Sequence, residues 1–137
     1  MSGHSLSANG TPLDESTVVA MQEAVGVLAA KWSVIVLARL ASGTHRFNEL
    51  LRQIDGVSRR MLSATLRQLE RDGLVERHVF ARVPARVEYE LSPAGQELLS
   101  ALIPLAGWGL QHADTLAAAR AKGLELQAKS QATPRIV

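Results

Sequence analysis

The chain has 137 residues, of which 47% are hydrophobic and 20% are charged, with 15 lysines and arginines against 13 aspartates and glutamates. This length suits one domain, or one domain plus an extended element, and the apolar content is ordinary for a globular protein, so wholesale disorder is excluded. The chain has no cysteine, which excludes disulfides, thiol nucleophiles and cysteine-based zinc sites. No apolar run reaches the roughly 20 residues that span a bilayer, and we expect a soluble, cytoplasmic protein without a membrane partner.

The net charge of +2 conceals an uneven distribution of charge along the chain. Residues 39–86 hold ten arginines, no lysine and five acidic residues, a balance of +5, whereas the segments before and after carry −2 and −1. A planar guanidinium group matches phosphate groups and guanine edges through paired hydrogen bonds. The middle of the chain is therefore a candidate nucleic-acid interface, with an ordinary solvated surface as the alternative.

A polar segment over residues 1–13 is expected to be a flexible arm. The first predicted helix covers residues 14–30, and its first three residues supply a cap and acidic first-turn groups. Its apolar residues recur at spacings of three and four and form one stripe: Val18, Met21, Val25 and Leu28. A second helix over residues 33–40 is apolar on almost every side, which predicts a central position in the core, and Gly43 closes it.

Two short helices follow, over residues 48–54 and 59–72, and a three-residue turn that contains Gly56 joins them. Ser58 is a favourable N-cap for the second helix, and Gly73 ends it. One face of that helix is apolar and carries Leu62, Leu66 and Leu69. The opposite face is polar and carries Arg59, Arg60, Ser63 and Arg67. This pair of helices matches the helix-turn-helix template.

The pattern then changes to strands over residues 74–80 and 86–91, with a hairpin tip at 81–85 (ARVPA). A cap followed by proline, Ser92-Pro93, opens a final helix that continues to about residue 121. Pro104 is expected to kink or break this helix, because proline removes a backbone donor. The domain thus covers residues 14–122, and the polar chain over 123–137 is expected to be a frayed tail.

This order of elements is that of a winged helix, so we expect a mainly α fold with a small β-hairpin. In that architecture the second helix of the helix-turn-helix enters the major groove, and the hairpin, or wing, reaches phosphates or the minor groove. The expected recognition helix opens with Arg59 and Arg60, and the wing carries Arg82 at its tip and Arg86 at its base. The basic residues therefore fall where this architecture contacts DNA.

Arg59 and Arg60 lie about 100° apart around a helix. Two cations at a helix N-terminus oppose the helix dipole, so an anionic partner is the better explanation for them. We expect one of the two to contact a base edge and the other to contact a phosphate. For Arg67, a phosphate contact and a surface ion pair with Glu70 remain equal alternatives.

Five blocks of the sequence carry a family resemblance. They are GVLAAKWSVIVLARL at 26–40, RFNEL at 46–50, GVSRRML at 56–62, LRQLERDGLV at 66–75 and PARVEYELS at 84–92. In this order and spacing they resemble the HxlR-type winged-helix transcriptional regulators of bacteria, over roughly residues 20–112. The resemblance implies a homodimeric repressor or activator that recognises a pseudo-palindromic operator in double-stranded DNA.

The same resemblance assigns roles to particular residues. Carried over by position, the DNA-contacting residues are Arg46, Asn48, Ser58, Arg59, Arg60, Ser63, Arg67, Arg82 and Arg86. The N-terminal and C-terminal helices would pair across a two-fold axis through Val18, Met21, Val25, Leu102, Leu105 and Trp108. Many members carry a sensing cysteine ahead of the first helix, and this chain has none. Any signal must therefore reach it by a route other than its own thiol.

Two alternatives to this function stay open. One is a winged-helix module whose basic face binds an acidic protein without binding DNA. The other is a regulator gated by a small-molecule effector at the dimerisation helices. Trp32 and Trp108 are expected in the core or the dimer interface, with the lining of such a pocket as the alternative. The four histidines lack metal-binding spacing, and no Gly-rich phosphate loop or nucleophile elbow is present, so we expect no metal, no cofactor and no enzyme.

Overall fold

The computed structural model describes residues 12–132; most of the predicted arm and the last five residues of the predicted tail lie outside this range. The described elements are α1 (Glu15–Val27), α2 (Ser33–Leu40), β1 (His45–Arg46), α3 (Phe47–Gln53), α4 (Arg59–Arg71), β2 (Val75–Phe80), β3 (Arg86–Leu91), α5 (Pro93–Gln111) and α6 (Ala113–Ala132). One compact unit ends at Leu99, and a second begins at Ser100. None of the described helices is both long and apolar enough to cross a membrane.

The core of the first unit is built from α2, α3, α4 and the sheet. Its buried apolar side chains are Val36, Leu37, Leu40, Leu50, Ile54, Leu62, Leu66, Leu69, Leu74, Val75 and Leu91. The predicted central position of α2 is confirmed, because three of its apolar residues are almost fully buried. The predicted apolar face of α4 is confirmed as well, because its three leucines lie in the same cluster.

The predicted side-chain caps open α1 and α4 and a glycine follows α4, but α1 ends at Val27 and not near residue 30 as predicted. Asp14 caps α1 by accepting a hydrogen bond from the backbone N–H of Thr17 at 2.8 Å. Hydrogen bonds from Thr17, together with one from Ser16, lower the pKa of Asp14. In the turn before α4, Gly56 has φ +83°, and after α4, Gly73 has φ +75°. Glycine adopts this left-handed region without the steric cost that other residues incur.

The wing is the predicted hairpin of β2 and β3. The strands pair antiparallel, with Val75 opposite Leu91 at the core end and Phe80 opposite Arg86 at the tip. Strand β3 also pairs with β1, so the sheet has the order β1-β3-β2. Tyr89 lies in the middle strand, and burial raises its pKa against the opposing effect of nearby Arg77.

Strand β1 is an element that the sequence analysis missed. It pairs His45 with Tyr89 and Arg46 with Glu88. A strand of two residues has no periodicity to detect, and it forms only where another strand supplies hydrogen-bonding partners. Because α3 begins directly after β1, this pairing fixes the start of α3 beside the wing.

The junction between the wing and α5 is tightly packed. Ser92 is buried; its Oγ donates to the carbonyl of Gly73 at 2.6 Å and accepts from the backbone N–H of Gly95 at 3.0 Å. Its backbone N–H donates to the carbonyl of Leu74 at 3.0 Å. The predicted cap at Ser92-Pro93 is therefore present, and it anchors the start of α5 to the turn that precedes β2.

The last two helices differ from the sequence-based expectation. Helix α5 continues through Pro104 to Gln111, so the proline does not break it. The chain is also helical from Ala113 to Ala132, where a frayed tail was expected from residue 123. This segment is polar but rich in Ala, Leu, Glu, Gln and Lys, which are strong helix formers, and that propensity outweighs the single Gly123.

Candidate nucleic-acid interface

Helix α4 presents polar side chains on the side opposite its buried leucines. This polar row consists of Arg59, Arg60, Ser63 and Arg67; the arginines are exposed and the serine is half-buried. Glu70, the expected ion-pair partner of Arg67, instead lies 3.8 Å from Arg77, measured from Oε1 to Nε. Within residues 12–132, none of the three arginines of the row forms an ion pair, so their positive charge is uncompensated.

Ser58 has a structural role at the start of this helix. Its Oγ accepts a hydrogen bond from the backbone N–H of Met61 at 3.1 Å, as the predicted N-cap requires. The hydroxyl hydrogen is still available for a second partner, because a serine can donate and accept at the same time. The cap is confirmed, and a DNA contact through the same hydroxyl remains a prediction.

The two arginines of the wing differ in their surroundings. Arg82 is exposed at the tip, next to Val83, which is fully exposed. Arg86 is half-buried, and its guanidinium group forms an ion pair with the carboxylate of Glu88. The Nε atom of Arg86 is buried without a hydrogen-bond partner among the described residues. Among residues 12–132, Arg82 therefore has no ion-pair partner, whereas the charge of Arg86 is partly balanced.

An open groove of about 580 Å³ lies between α3 and the wing, and we call it the wing groove. Four arginines line it, together with Asn48 and Glu49: Arg46, Arg52, Arg82 and Arg86. The groove brings the predicted contacts at the start of α3 together with those of the wing. Arg52 is a lining residue that the sequence analysis did not single out, and its one signal was its place in the arginine-rich segment.

The outer face of the wing carries a group of acidic and imidazole side chains. His78 Nε2 lies 2.7 Å from Glu90 Oε1 and 3.6 Å from Glu76 Oε2. One ligand atom from each residue lies within 4.8 Å of the others, so this group has a composition that could hold a metal ion. Histidine spacing alone gave no sign of it, because two of the three residues are carboxylates from paired strands.

The residues predicted for a dimer interface lie on helices with exposed apolar surface. No residue of α1 is buried, and the exposed fractions of Val18, Met21 and Val25 are 40%, 53% and 67%. In the second unit, Leu105 and Trp108 are exposed and Leu102 is half-buried. The Trp108 ring stacks on His112 with 4.7 Å between centroids. Exposed apolar surface of this kind on two helices is typical of protein–protein contact sites.

Trp32 belongs to the packing around the core. It is half-buried, lies against the buried apolar cluster and carries the ammonium group of Lys31 at 5.1 Å from its ring centroid. The indole Nε1 is buried and has no hydrogen-bond partner among the described residues. Its position agrees with the predicted packing role.

Known proteins resemble this chain over most of the described range. The sequence model of the HxlR-like helix-turn-helix family matches residues 27–117. The uncharacterised HTH-type transcriptional regulator YtfH of Escherichia coli is 40% identical over 87 residues, which are 64% of this chain and 69% of YtfH.

Two solved structures share the fold. A transcriptional regulator of the MarR family from Enterococcus faecalis V583 is 38% identical, with a TM-score of 0.66 over 82% of this chain and 99% of that one. The redox regulator HypR in its reduced form is 34% identical, with a TM-score of 0.67 over 72% of this chain and 98% of that one. These relationships confirm the winged-helix fold and the resemblance read from the five sequence blocks. The chain belongs to the HxlR-like helix-turn-helix family of transcriptional regulators.

Proposed function

We propose that the chain acts as a homodimeric regulator that binds a pseudo-palindromic operator in double-stranded DNA. The observation that carries this proposal is the polar row of α4, in which three exposed arginines have no acidic partner within residues 12–132. Arginine forms paired hydrogen bonds with guanine edges and with phosphates, and a helix fits the major groove. The row therefore has the charge, the exposure and the helical support for sequence-dependent contacts.

The wing supports the same function from a second element. Arg82 is exposed at its tip and has no ion-pair partner in the described part of the chain, and this tip is where the winged-helix architecture reaches the DNA backbone or the minor groove. Contacts of this type hold the protein in register on the duplex and add affinity that depends little on sequence. Of Arg59 and Arg60, we assign one to base reading and the other to a phosphate contact, and we assign Arg82 to backbone binding.

The exposed apolar residues of α1 and α5 support the proposed homodimer. A two-fold pair of subunits would place two recognition helices on successive half-sites, which is why the operator is expected to be pseudo-palindromic. The exposed Val25 and Leu105 gain from burial at such an interface, because removing apolar surface from water is favourable.

The signal that controls this regulator does not act on a thiol of the chain. HypR, one of the similar structures, is a redox regulator. This chain has no cysteine, so oxidation of its own thiols is chemically impossible. Its regulation must use another chemistry, such as a small-molecule ligand.

Selection of bound fragments from genomic DNA, followed by gel shift against competitor DNA, tests the proposed function. We expect enrichment of a pseudo-palindromic sequence, and the observed affinity should fall steeply as salt rises, because phosphate contacts release counterions. Failure to retain any fragment above competitor, at low and at physiological salt, would contradict DNA binding. That result would favour the alternative in which the basic face binds an acidic protein.

A further inference from the structure

The wing groove collects more positive charge than its own carboxylates balance. Arg46 and Arg52 come from the β1–α3 segment, and Arg82 and Arg86 come from the wing. Within residues 12–132, Arg46, Arg52 and Arg82 form no ion pair. Like charges that converge in one concavity repel each other, and an anion bound among them would remove that repulsion.

The acidic residue that lines the groove, Glu49, and the neighbouring Glu88 both have other partners. Glu49 accepts a hydrogen bond from the backbone N–H of Arg46 at 3.1 Å and so caps the start of α3. Glu88 does not line the groove, and its carboxylate forms an ion pair with Arg86, which does. Neither carboxylate is paired with the guanidinium groups of Arg52 or Arg82. The groove thus keeps a surplus of hydrogen-bond donors, to which Asn48 can add an amide N–H.

The shape of the groove also suits a small anionic group. A volume of about 580 Å³ lies within the range of ligand-binding clefts, and it exceeds what one phosphate group fills. Guanidinium groups bind phosphate oxygens through pairs of parallel hydrogen bonds, which favours a phosphate with an attached sugar or chain over a monovalent ion such as chloride.

We propose that the wing groove is a binding site for a phosphate-type oxyanion and that Arg52 is one of its ligands. Two sources supply this chemistry: the backbone of bound DNA and a free phosphorylated small molecule. The first source rests on the proposed function, whereas the second does not require it. A free ligand in this site would compete with the DNA backbone and would provide a control signal that needs no cysteine.

The test uses the full chain and compares three variants with the wild type. Arg52→Ala removes the guanidinium group that is proposed to bind the anion. Arg52→Lys keeps the positive charge but loses the planar group that forms paired hydrogen bonds. Arg39→Ala removes the same charge from an exposed position on α2 that does not line the groove. Arg52 is exposed, so its replacement should leave the thermal unfolding midpoint unchanged, and this is checked first.

Isothermal titration calorimetry with inorganic pyrophosphate tests whether the groove binds a free phosphate compound. If the groove accepts a free phosphate compound, Arg52→Ala should weaken pyrophosphate binding roughly tenfold, as expected for the loss of one charged hydrogen-bonding ligand. The pyrophosphate affinity of Arg52→Lys should fall between those of the wild type and Arg52→Ala, and the affinity of Arg39→Ala should match the wild type. Pyrophosphate should also displace DNA from the wild-type protein but not from Arg52→Ala.

Gel shifts over a range of salt concentrations test whether a phosphate of the DNA backbone occupies the groove. If the backbone occupies the groove, Arg52→Ala should reduce the slope of log affinity against log salt by about 1 relative to Arg39→Ala, with no change in sequence preference. Equal behaviour of Arg52→Ala and Arg39→Ala in both measurements would overturn the proposal. Absence of DNA binding by the wild type, together with pyrophosphate binding that depends on Arg52, would overturn the proposed function and leave the site standing.

Discussion

Gly95 lies in the first turn of α5 and is buried against the turn that precedes β2. A Cβ atom at this position would overlap the backbone carbonyl of Leu74 and press on the Leu91 side chain. The carbonyl cannot move freely, because it accepts a hydrogen bond from the backbone N–H of Ser92. The absence of a side chain is therefore a packing requirement at this point.

We predict that Gly95→Ala lowers the free energy of unfolding by about 2 kcal/mol, within the range of overpacked sites. Urea unfolding followed by circular dichroism measures the change. Gly123→Ala is the matched control, because no atom lies within 4 Å of a Cβ placed there and alanine favours a helix. A Gly95→Ala protein as stable as the control would show that α5 does not pack on Leu74 as described.

Replacing the arginines of α4 and replacing the arginine at the wing tip should weaken DNA binding in different ways. Replacement of Arg59 and Arg60 by alanine should reduce the difference in affinity between operator and competitor DNA, by about 1–3 kcal/mol for each base contact that is lost. Arg82→Ala should weaken binding to both DNAs by a similar factor. Gel shifts on the selected operator and on a scrambled duplex separate the two effects. Unchanged discrimination in the double variant would remove the pair from base reading.

At the scale of elements, the N-cap of α4 links stability to the proposed interface. Ser58→Ala leaves the backbone N–H of Met61 without its partner and should cost about 1 kcal/mol of folding free energy. Ser58→Asp keeps a capping oxygen and suits the helix dipole, but it places a negative charge where a phosphate is expected.

We therefore predict that Ser58→Asp retains wild-type stability and loses DNA affinity. The main effect of Ser58→Ala should be a loss of stability. Urea unfolding and gel shift on the same samples check both parts. Full DNA affinity of Ser58→Asp would mean that the start of α4 lies away from phosphates in the complex.

At the scale of the whole molecule, the exposed apolar face of α1 predicts self-association. Light scattering at micromolar concentration should give about twice the 14.7 kDa mass of one chain. Val25→Glu should shift the protein toward the monomer and weaken operator binding, since a glutamate cannot be buried at an apolar interface without cost. Val34→Glu, at an exposed site on α2 outside the predicted interface, serves as the control. A wild-type monomer at these concentrations would refute the dimer.

Much of this fold could be predicted from the sequence, because its determinants are local. The bounds of α2 and β3 agree with the apolar and alternating patterns, and the caps at Asp14, Ser58 and Ser92 are present in the structure. The exceptions include β1, which was missed, and α6, where polar composition suggested a tail although the helix propensity of the same residues was high.

The amino-acid sequence by itself determined the order of elements apart from β1 and the division between α5 and α6. It also determined the apolar face of α4 and the arginines opposite it, since helix periodicity, capping and turn formation act over a few residues. Only the tertiary structure decided which distant groups meet. It placed Arg46 opposite Glu88 in the pairing of β1 with β3 and brought Arg52 to the same groove as Arg82. It also brought His78 within hydrogen-bonding distance of Glu90. These contacts depend on strand pairing and packing between residues far apart in the chain, for which a local pattern carries no signal.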